Sequence, residues 1–213
     1  MVRLVATVCL LAVSAVAEPI SFPTLTDAEK QKLNTRGVVI HEVEPTGGRG
    51  IAAESMAVVD APTAEVWPLL RDCEHFAQFM PNTKASSRKL ENGESLCFDE
   101  ISLPFPLPNL WADTRSEVRE EPAGHFIRAW SLVRGNYRRN GGAWKVLPWG
   151  PDGKHSLVVY VIDSDPEMML PDPLLRAAQT GSLPDVFKAL RKRLSTLRAQ
   201  APTTAATGSA AQR

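Results

Sequence analysis

Apolar positions in this chain follow two periods. From Val38 to Ile162 they alternate with polar residues or run in short branched blocks, punctuated by Gly, Pro and an Asn-Gly pair, which predicts strands. From Asp185 onward they recur three and four apart, which predicts a helix. The block from Gly50 to Pro81 organises the rest: a strand over Ile51–Val59, a turn at Asp60-Ala61-Pro62, then one or two short helices. Val66, Trp67, Leu70, Cys73 and His75-Phe76 carry the helical spacing, and Met80-Pro81 ends it. Thr63 is placed to act as N-cap, with Glu65 in the first turn, where the helix dipole favours an anion.

Upstream, Thr26-Asp27-Ala28-Glu29 has the form of a capping box and predicts a helix to about Asn34, stopped near Gly37. Val38–Val43 reads as a strand, turned by Pro45-Thr46-Gly47-Gly48 into an antiparallel partner; His41 alternates with apolar neighbours as a strand-surface residue does. Downstream, Ser86–Leu90 and Glu94–Leu103 flank Glu91-Asn92-Gly93, a hairpin signal. Pro104, Pro106 and Pro108 then interrupt the ladder, because proline cannot donate to it. Trp111–Arg119 alternates Ala112, Thr114, Ser116 and Val118 against Trp111, Asp113, Arg115 and Glu117, a half-buried strand with one charged face. Further strands are predicted at Phe126–Val133, from Asn140 through Val146 with a break at Pro148, and at Ser156–Ile162.

The last element begins near Asp172-Pro173, with Leu174, Leu175 and Ala178 on one short face, and Gly181-Ser182-Leu183-Pro184 caps or kinks it. Val186, Phe187, Leu190, Leu194 and Leu197 then form an apolar stripe; Lys188, Arg191, Lys192, Arg193 and Arg198 form a solvated face opposite. Residues 199–213 are rich in Ala, Thr, Gly and Ser and are expected to be a disordered tail. The sum is an α+β domain in which a long antiparallel sheet buries one face under the final helix.

Composition narrows the picture. The 213 residues suit one domain, and 24 basic against 24 acidic residues create no global field for nucleic acid. Residues 1–17 carry Arg3, an uncharged apolar run from Leu4 to Val16 and a small-x-small pattern at Ala15-Val16-Ala17. They are expected to be a cleaved signal peptide, the rival being an uncleaved anchor; the mature protein is then secreted or periplasmic and nearly neutral. Residues 18–37 form a lead and short helix, and 38–198 the folded domain. After cleavage only Cys73 and Cys97 remain, open to two readings, a disulfide in an oxidising compartment or two buried thiols. Neither has a metal-spaced partner, and His41, His75, His125 and His155 are scattered, so no metal site and no cofactor are expected. No Gly-x-Ser-x-Gly elbow, phosphate-cradling loop or dinucleotide fingerprint is present.

The ordered set Val58-Val59-Asp60-Ala61-Pro62, Glu65-Val66-Trp67, Phe79-Met80-Pro81, Pro104-Phe105-Pro106-Leu107, Gly142-Ala143-Trp144 and Leu183-Pro184 resembles the START-like (SRPBCC) superfamily. It is most similar to the polyketide cyclase/dehydrase and coenzyme Q-binding branch, over roughly Val38 to Arg198. It departs from the pattern where Asn109-Leu110-Trp111 intervene before Asp113, so the resemblance carries no ligand identity with it. The resemblance implies a helix-grip fold, a curved antiparallel sheet wrapped around the C-terminal helix with a central cavity.

Such a cavity is expected to bind a hydrophobic small molecule, a lipid, sterol-like compound or quinone, without catalysis; the alternative is a cyclase/aromatase-type enzyme. Its expected wall is Phe79, Met80, Trp111, Arg128, Trp130, Trp144, Tyr160 and Phe187, although aromatic residues equally serve as plain core. Arg128 shares a face with Phe126 and Trp130; pointing inward it needs an anionic partner, and if Ile127, Ala129 and Val133 point inward it is solvated, the default for a guanidinium. The catalytic alternative would use Asp113, Arg115, His125, Arg128 and Tyr160. Expected partners are the ligand and transiently a membrane, with no nucleic acid, and the protein is expected to be a monomer.

Overall fold

The computed structural model describes residues 19–168 and 181–200. Helix α1 (Asp27–Asn34) opens with the predicted capping box, Thr26 and Glu29 bonding each other's backbone amides. Strands β1 (Val38–Val43) and β2 (Ile51–Val59) follow, then helix α2 (Thr63–Arg71) and a single 3-10 turn at Phe76–Gln78. Six more strands complete the sheet: β3 (Thr83–Glu91), β4 (Glu94–Ile101), β5 (Leu110–Glu121), β6 (His125–Gly135), β7 (Tyr137–Trp149) and β8 (His155–Pro166). Helix α3 (Leu183–Gln200) closes the fold. The order across the sheet is β1-β2-β8-β7-β6-β5-β4-β3, every pair antiparallel. This is the helix-grip architecture of START-like domains.

The sheet has a core on each side in its thicker half. On the concave face Ala57, Val59, Trp144, Val146 and Val158 pack against α2 and against Phe187, Leu190 and Leu194 of α3. On the convex face Met56, Val58, Leu147, Leu157 and Val159 pack under Ile20 and Leu33. The N-terminal lead thus covers a second apolar face, which explains why β2 is buried at nearly every position and shows no alternation. The Asn92-Gly93 hairpin forms with positive φ at both residues, the geometry that matches strand twist.

Several boundaries differ from expectation. The N-cap of α2 is Pro62, with no side-chain cap; its carbonyl accepts from Glu65 and Val66, and Thr63 is already helical. Strand β7 starts at Tyr137 and passes through Pro148 to Trp149, because β8 supplies partners along its whole length. Strand β8 extends past Ile162 since Asp163 and Asp165 pair with Arg139 and Arg49 at 2.8 and 3.3 Å, charge pairing replacing the apolar signal. Helix α3 presents Leu183, Phe187, Leu190 and Leu194 inward, while Leu197 is exposed. Its basic face is only partly solvated: Arg191 donates to the carbonyls of Val58 and Arg36, and Arg198 to that of Asp60, tying the helix to β2 and α1. The segment 1–17, the face at Leu174, Leu175 and Ala178, and residues 201–213 of the expected tail lie outside the described residues.

Candidate ligand-binding site

Core side chains fill the groove under the C-terminal half of α3, and its N-terminal end is left open. There a cavity of about 620 Å³ lies between the concave face and the first turn of α3, at Ser182, Leu183 and Val186. Its rim is the Met80–Thr83 turn before β3, the Pro104–Leu107 loop between β4 and β5, and Met168. The loop is where the three prolines stop the ladder, so the sheet's own punctuation forms the mouth. Phe105 at its tip is 97% exposed.

The wall is mostly apolar, with Ile101, Leu110, Trp130, Trp144 and Ile162 on successive strands. Trp144 stacks on Tyr160 at 4.1 Å between centroids, and Trp130 on the same ring at 5.9 Å. Trp130 lies across β7, and Gly142 makes that possible: a Cβ there would sit 2.5 Å from Trp130 Cζ2 and against the Val161 carbonyl. The indole is pinned by donating to Asn140 Oδ1 at 3.2 Å.

A polar group interrupts this wall. Arg128 is 2% exposed, so the solvated orientation is overturned. The register places Arg128 beside Trp144, on the concave face, while its neighbour Ile127 packs into the convex core. Its Nε donates to Ser116 Oγ at 3.1 Å and its Nη2 to Cys97 Sγ at 3.2 Å. Phe76 covers the guanidinium, its ring centroid 5.4 Å from Cζ. Among the described residues no carboxylate forms an ion pair with Arg128, and Nη1 makes no hydrogen bond. Burial therefore pulls the guanidinium pKa down, the charges of Asp99 and Asp72 offsetting part of the effect.

Asp99, on β4, is the counterpart. It lines the cavity, yet its Oδ1 is enclosed and has no hydrogen-bond partner among the described residues. Burial raises its pKa to about 6 against the opposing pull of Arg128. Burial likewise raises the phenols of Tyr137 and Tyr160, which face the same space and stay neutral.

Of the eight residues expected in the wall, Met80, Arg128, Trp130, Trp144 and Tyr160 are brought together here. Phe187 is not: it is fully buried in the core beneath α3. Phe79 turns to the outer side, lining a separate groove with Lys188 and Lys192. Trp111 is on the convex face, beside Phe98, because Leu110, Ala112 and Thr114 take the inward positions of β5. The residues of the catalytic alternative are also dispersed. Asp113 faces outward between Lys89 and Arg134, Arg115 pairs with Glu94, and His125 contacts the Ile20 carbonyl; only Arg128 and Tyr160 reach the cavity. Asp99, Tyr137 and Phe76 were not expected. The alternation of β4 offers little signal for Asp99, since Leu96 and Cys97, on opposite faces, are both buried. Cys73 and Cys97 form a disulfide that ties the segment after α2 to β4.

Residues 59–191 match the family described as polyketide cyclase / dehydrase and lipid transport. The chain belongs to this family. Solved structures agree in fold. A STAR-related lipid transfer protein from Xanthomonas axonopodis is 23% identical with a TM-score of 0.60, over 75% of this chain and 94% of its own. Human StAR-related lipid transfer protein 5 is 12% identical with a TM-score of 0.65, over 80% and 94%. A Streptomyces aromatase/cyclase is 14% identical with a TM-score of 0.51, over 79% and 100%. No curated protein matches the sequence. Within this family of cyclases, dehydrases and lipid transporters, the cavity lies between the sheet and the helix it grips, as the START-like fold implies.

Proposed function

We propose that this protein binds and carries a hydrophobic small molecule, of the lipid, sterol-like or quinone kind, without transforming it. The observation that carries this reading is the apolar cavity of about 620 Å³ under the first turn of α3, within the roughly 300–1,000 Å³ of small-molecule sites. The lipid-transfer names of the similar structures support it. The carrier is read as a secreted or periplasmic monomer with transient membrane contact. The signal-like segment 1–17 and the Cys73–Cys97 disulfide support the compartment, and the exposed Phe105 at the mouth supports the contact. Charge balance gives no reason to invoke nucleic acid.

Native mass spectrometry of the protein purified from its own host tests this. A co-purifying lipid-like mass supports a carrier; a cavity that stays empty and fails to take up any apolar probe sinks it. One observation favours a second reading, an enzyme of cyclase/aromatase type: Asp99, Arg128 and Tyr160 place groups able to hold and move protons in one apolar space. Turnover of a polyketide-like substrate, lost in Arg128→Ala, would select it.

A further inference from the structure

The cavity holds one guanidinium and one carboxyl that do not bond each other, and both are left incompletely satisfied. Arg128 is fixed by Ser116 and the disulfide sulfur of Cys97, leaving Nη1 without a hydrogen bond among the described residues. Asp99 makes no hydrogen bond among the described residues, and its Oδ1 is enclosed. Buried polar atoms in this state cost free energy, so a ligand that supplies partners is favoured over a plain hydrocarbon.

The charge of the pair decides which head group fits. The titratable and charged groups facing Asp99 are Arg128 from β6, Tyr160 from β8 and Tyr137 from β7, with Asp72, at the end of α2, acting on Arg128. The tyrosines remain neutral at ordinary pH. With Asp99 ionised the site carries one positive and one negative charge, and a head group that both accepts and donates satisfies both. A full anion would meet Arg128 but be repelled by Asp99. With Asp99 protonated the repulsion disappears and the site carries a net positive charge.

Resting on the carrier reading above, we infer that this site selects its ligand by head-group charge, taking an uncharged hydroxyl-bearing amphipath when Asp99 is ionised and an anionic amphipath when Asp99 is protonated. The disulfide has a part in this, because its Cys97 sulfur holds the guanidinium at the cavity wall. Anion binding near neutral pH draws a proton onto Asp99, so it is accompanied by proton uptake.

The test uses decanol and decanesulfonate, matched in chain length; the sulfonate stays ionised throughout, so any pH dependence belongs to the protein. Binding is measured by calorimetry on the disulfide-bonded protein at about pH 8 and about pH 5, on either side of the Asp99 transition. Decanesulfonate is expected to bind roughly tenfold tighter at the lower pH, equivalent to one unit of coupling, while decanol changes by less than about threefold. In Asp99→Asn the sulfonate affinity is expected to be high at both values. In Arg128→Gln it is expected to fall at both; if that variant does not fold, Asp99→Asn decides alone. A sulfonate affinity that is flat with pH in the wild type, or still pH-dependent in Asp99→Asn, overturns the inference while decanol binding leaves the carrier standing. Failure of the folded protein to bind either probe overturns the carrier reading and this inference with it.

Discussion

Arg128 Nη2 donates to Cys97 Sγ across 3.2 Å, and that sulfur is bonded to Cys73. A buried cation is thereby held by a disulfide and a serine hydroxyl in place of a carboxylate. The arrangement couples two features that look independent in sequence. The cross-link fastens Phe76, which covers the guanidinium, to the strand that carries Asp99. The polar end of the cavity is therefore built by chain closure as much as by the sheet.

Removing the cross-link should show in stability. Cys73 and Cys97 are 24 residues apart, and closing a loop of that size in the unfolded chain is worth about 3 kcal/mol on the chain-entropy account. The Cys73→Ala/Cys97→Ala pair is expected to lose a comparable amount, read as a lower midpoint in urea with a somewhat steeper slope, because the unfolded chain is no longer held compact by the cross-link. A midpoint equal to that of the oxidised protein would show that packing of Phe76 alone fastens this segment.

Gly142 is the position where the aromatic wall depends on a missing side chain. Gly142→Ala brings a Cβ within 2.5 Å of Trp130 Cζ2 and closer still to the Val161 carbonyl; the indole can move aside, but the carbonyl moves only with the β7–β8 ladder. Overpacking of this kind costs about 1–3 kcal/mol. The variant is expected to be destabilised by that order and to show a shifted tryptophan emission spectrum; unchanged emission with full stability would mean that Trp130 is not seated on Gly142.

Much of the architecture was legible because it is written in local signals. The capping box at Thr26, the Asn92-Gly93 turn, the prolines at 104, 106 and 108 and the stripe at Phe187, Leu190 and Leu194 each state their element without help from elsewhere. The inward or outward sense of a strand is not local. Both faces of β6 carry apolar residues, since Ile127 meets the convex core and Trp130 the cavity, so alternation could not assign Arg128. Trp111 misled for the converse reason: a large aromatic residue suggests burial, but the inward row of β5 is Leu110, Ala112 and Thr114. The disulfide and Asp99 depended on which segments become neighbours in the fold, which no spacing records.

Filling the cavity separates its role from that of the core. Ala112 is buried on β5 beside Leu110 and Tyr137 and also lines the cavity, so the ring of Ala112→Phe must displace these neighbours or enter the cavity. The variant is expected to stay folded, at a cost of about 1–3 kcal/mol for the added volume, and to lose most of its affinity for an apolar dye such as a naphthylamine sulfonate. Retained dye binding would place the dye elsewhere.

The pH dependence of stability follows from Asp99. Its ordinary value of 3.8 is raised to about 6 in the folded protein, chiefly by burial. The folded state therefore holds this proton through a range in which the unfolded chain has released it, and between about pH 4 and 6 stability falls as pH rises. Asp99→Asn removes that loss. It is expected to be more stable than the wild type by on the order of 1–2 kcal/mol at about pH 7.5, with the gain gone near pH 4. An equal gain at both values in urea titrations would assign the effect to packing and not to charge.

Phe105 offers the cleanest separation of membrane contact from ligand binding. It is 97% exposed at the tip of the Pro104–Leu107 loop, between Pro104 and Pro106. An exposed phenylalanine contributes little to folding, so Phe105→Asp is expected to change stability by less than about 0.5 kcal/mol. Inserting the ring among lipid chains is worth about 1.5–3 kcal/mol, a factor of ten or more in partitioning. The variant is therefore expected to bind decanol in solution as the wild type does, while its co-sedimentation with phosphatidylcholine vesicles falls about tenfold. Undiminished sedimentation would remove this loop from the membrane contact, and a parallel loss of decanol binding would show that Phe105 closes over the ligand instead.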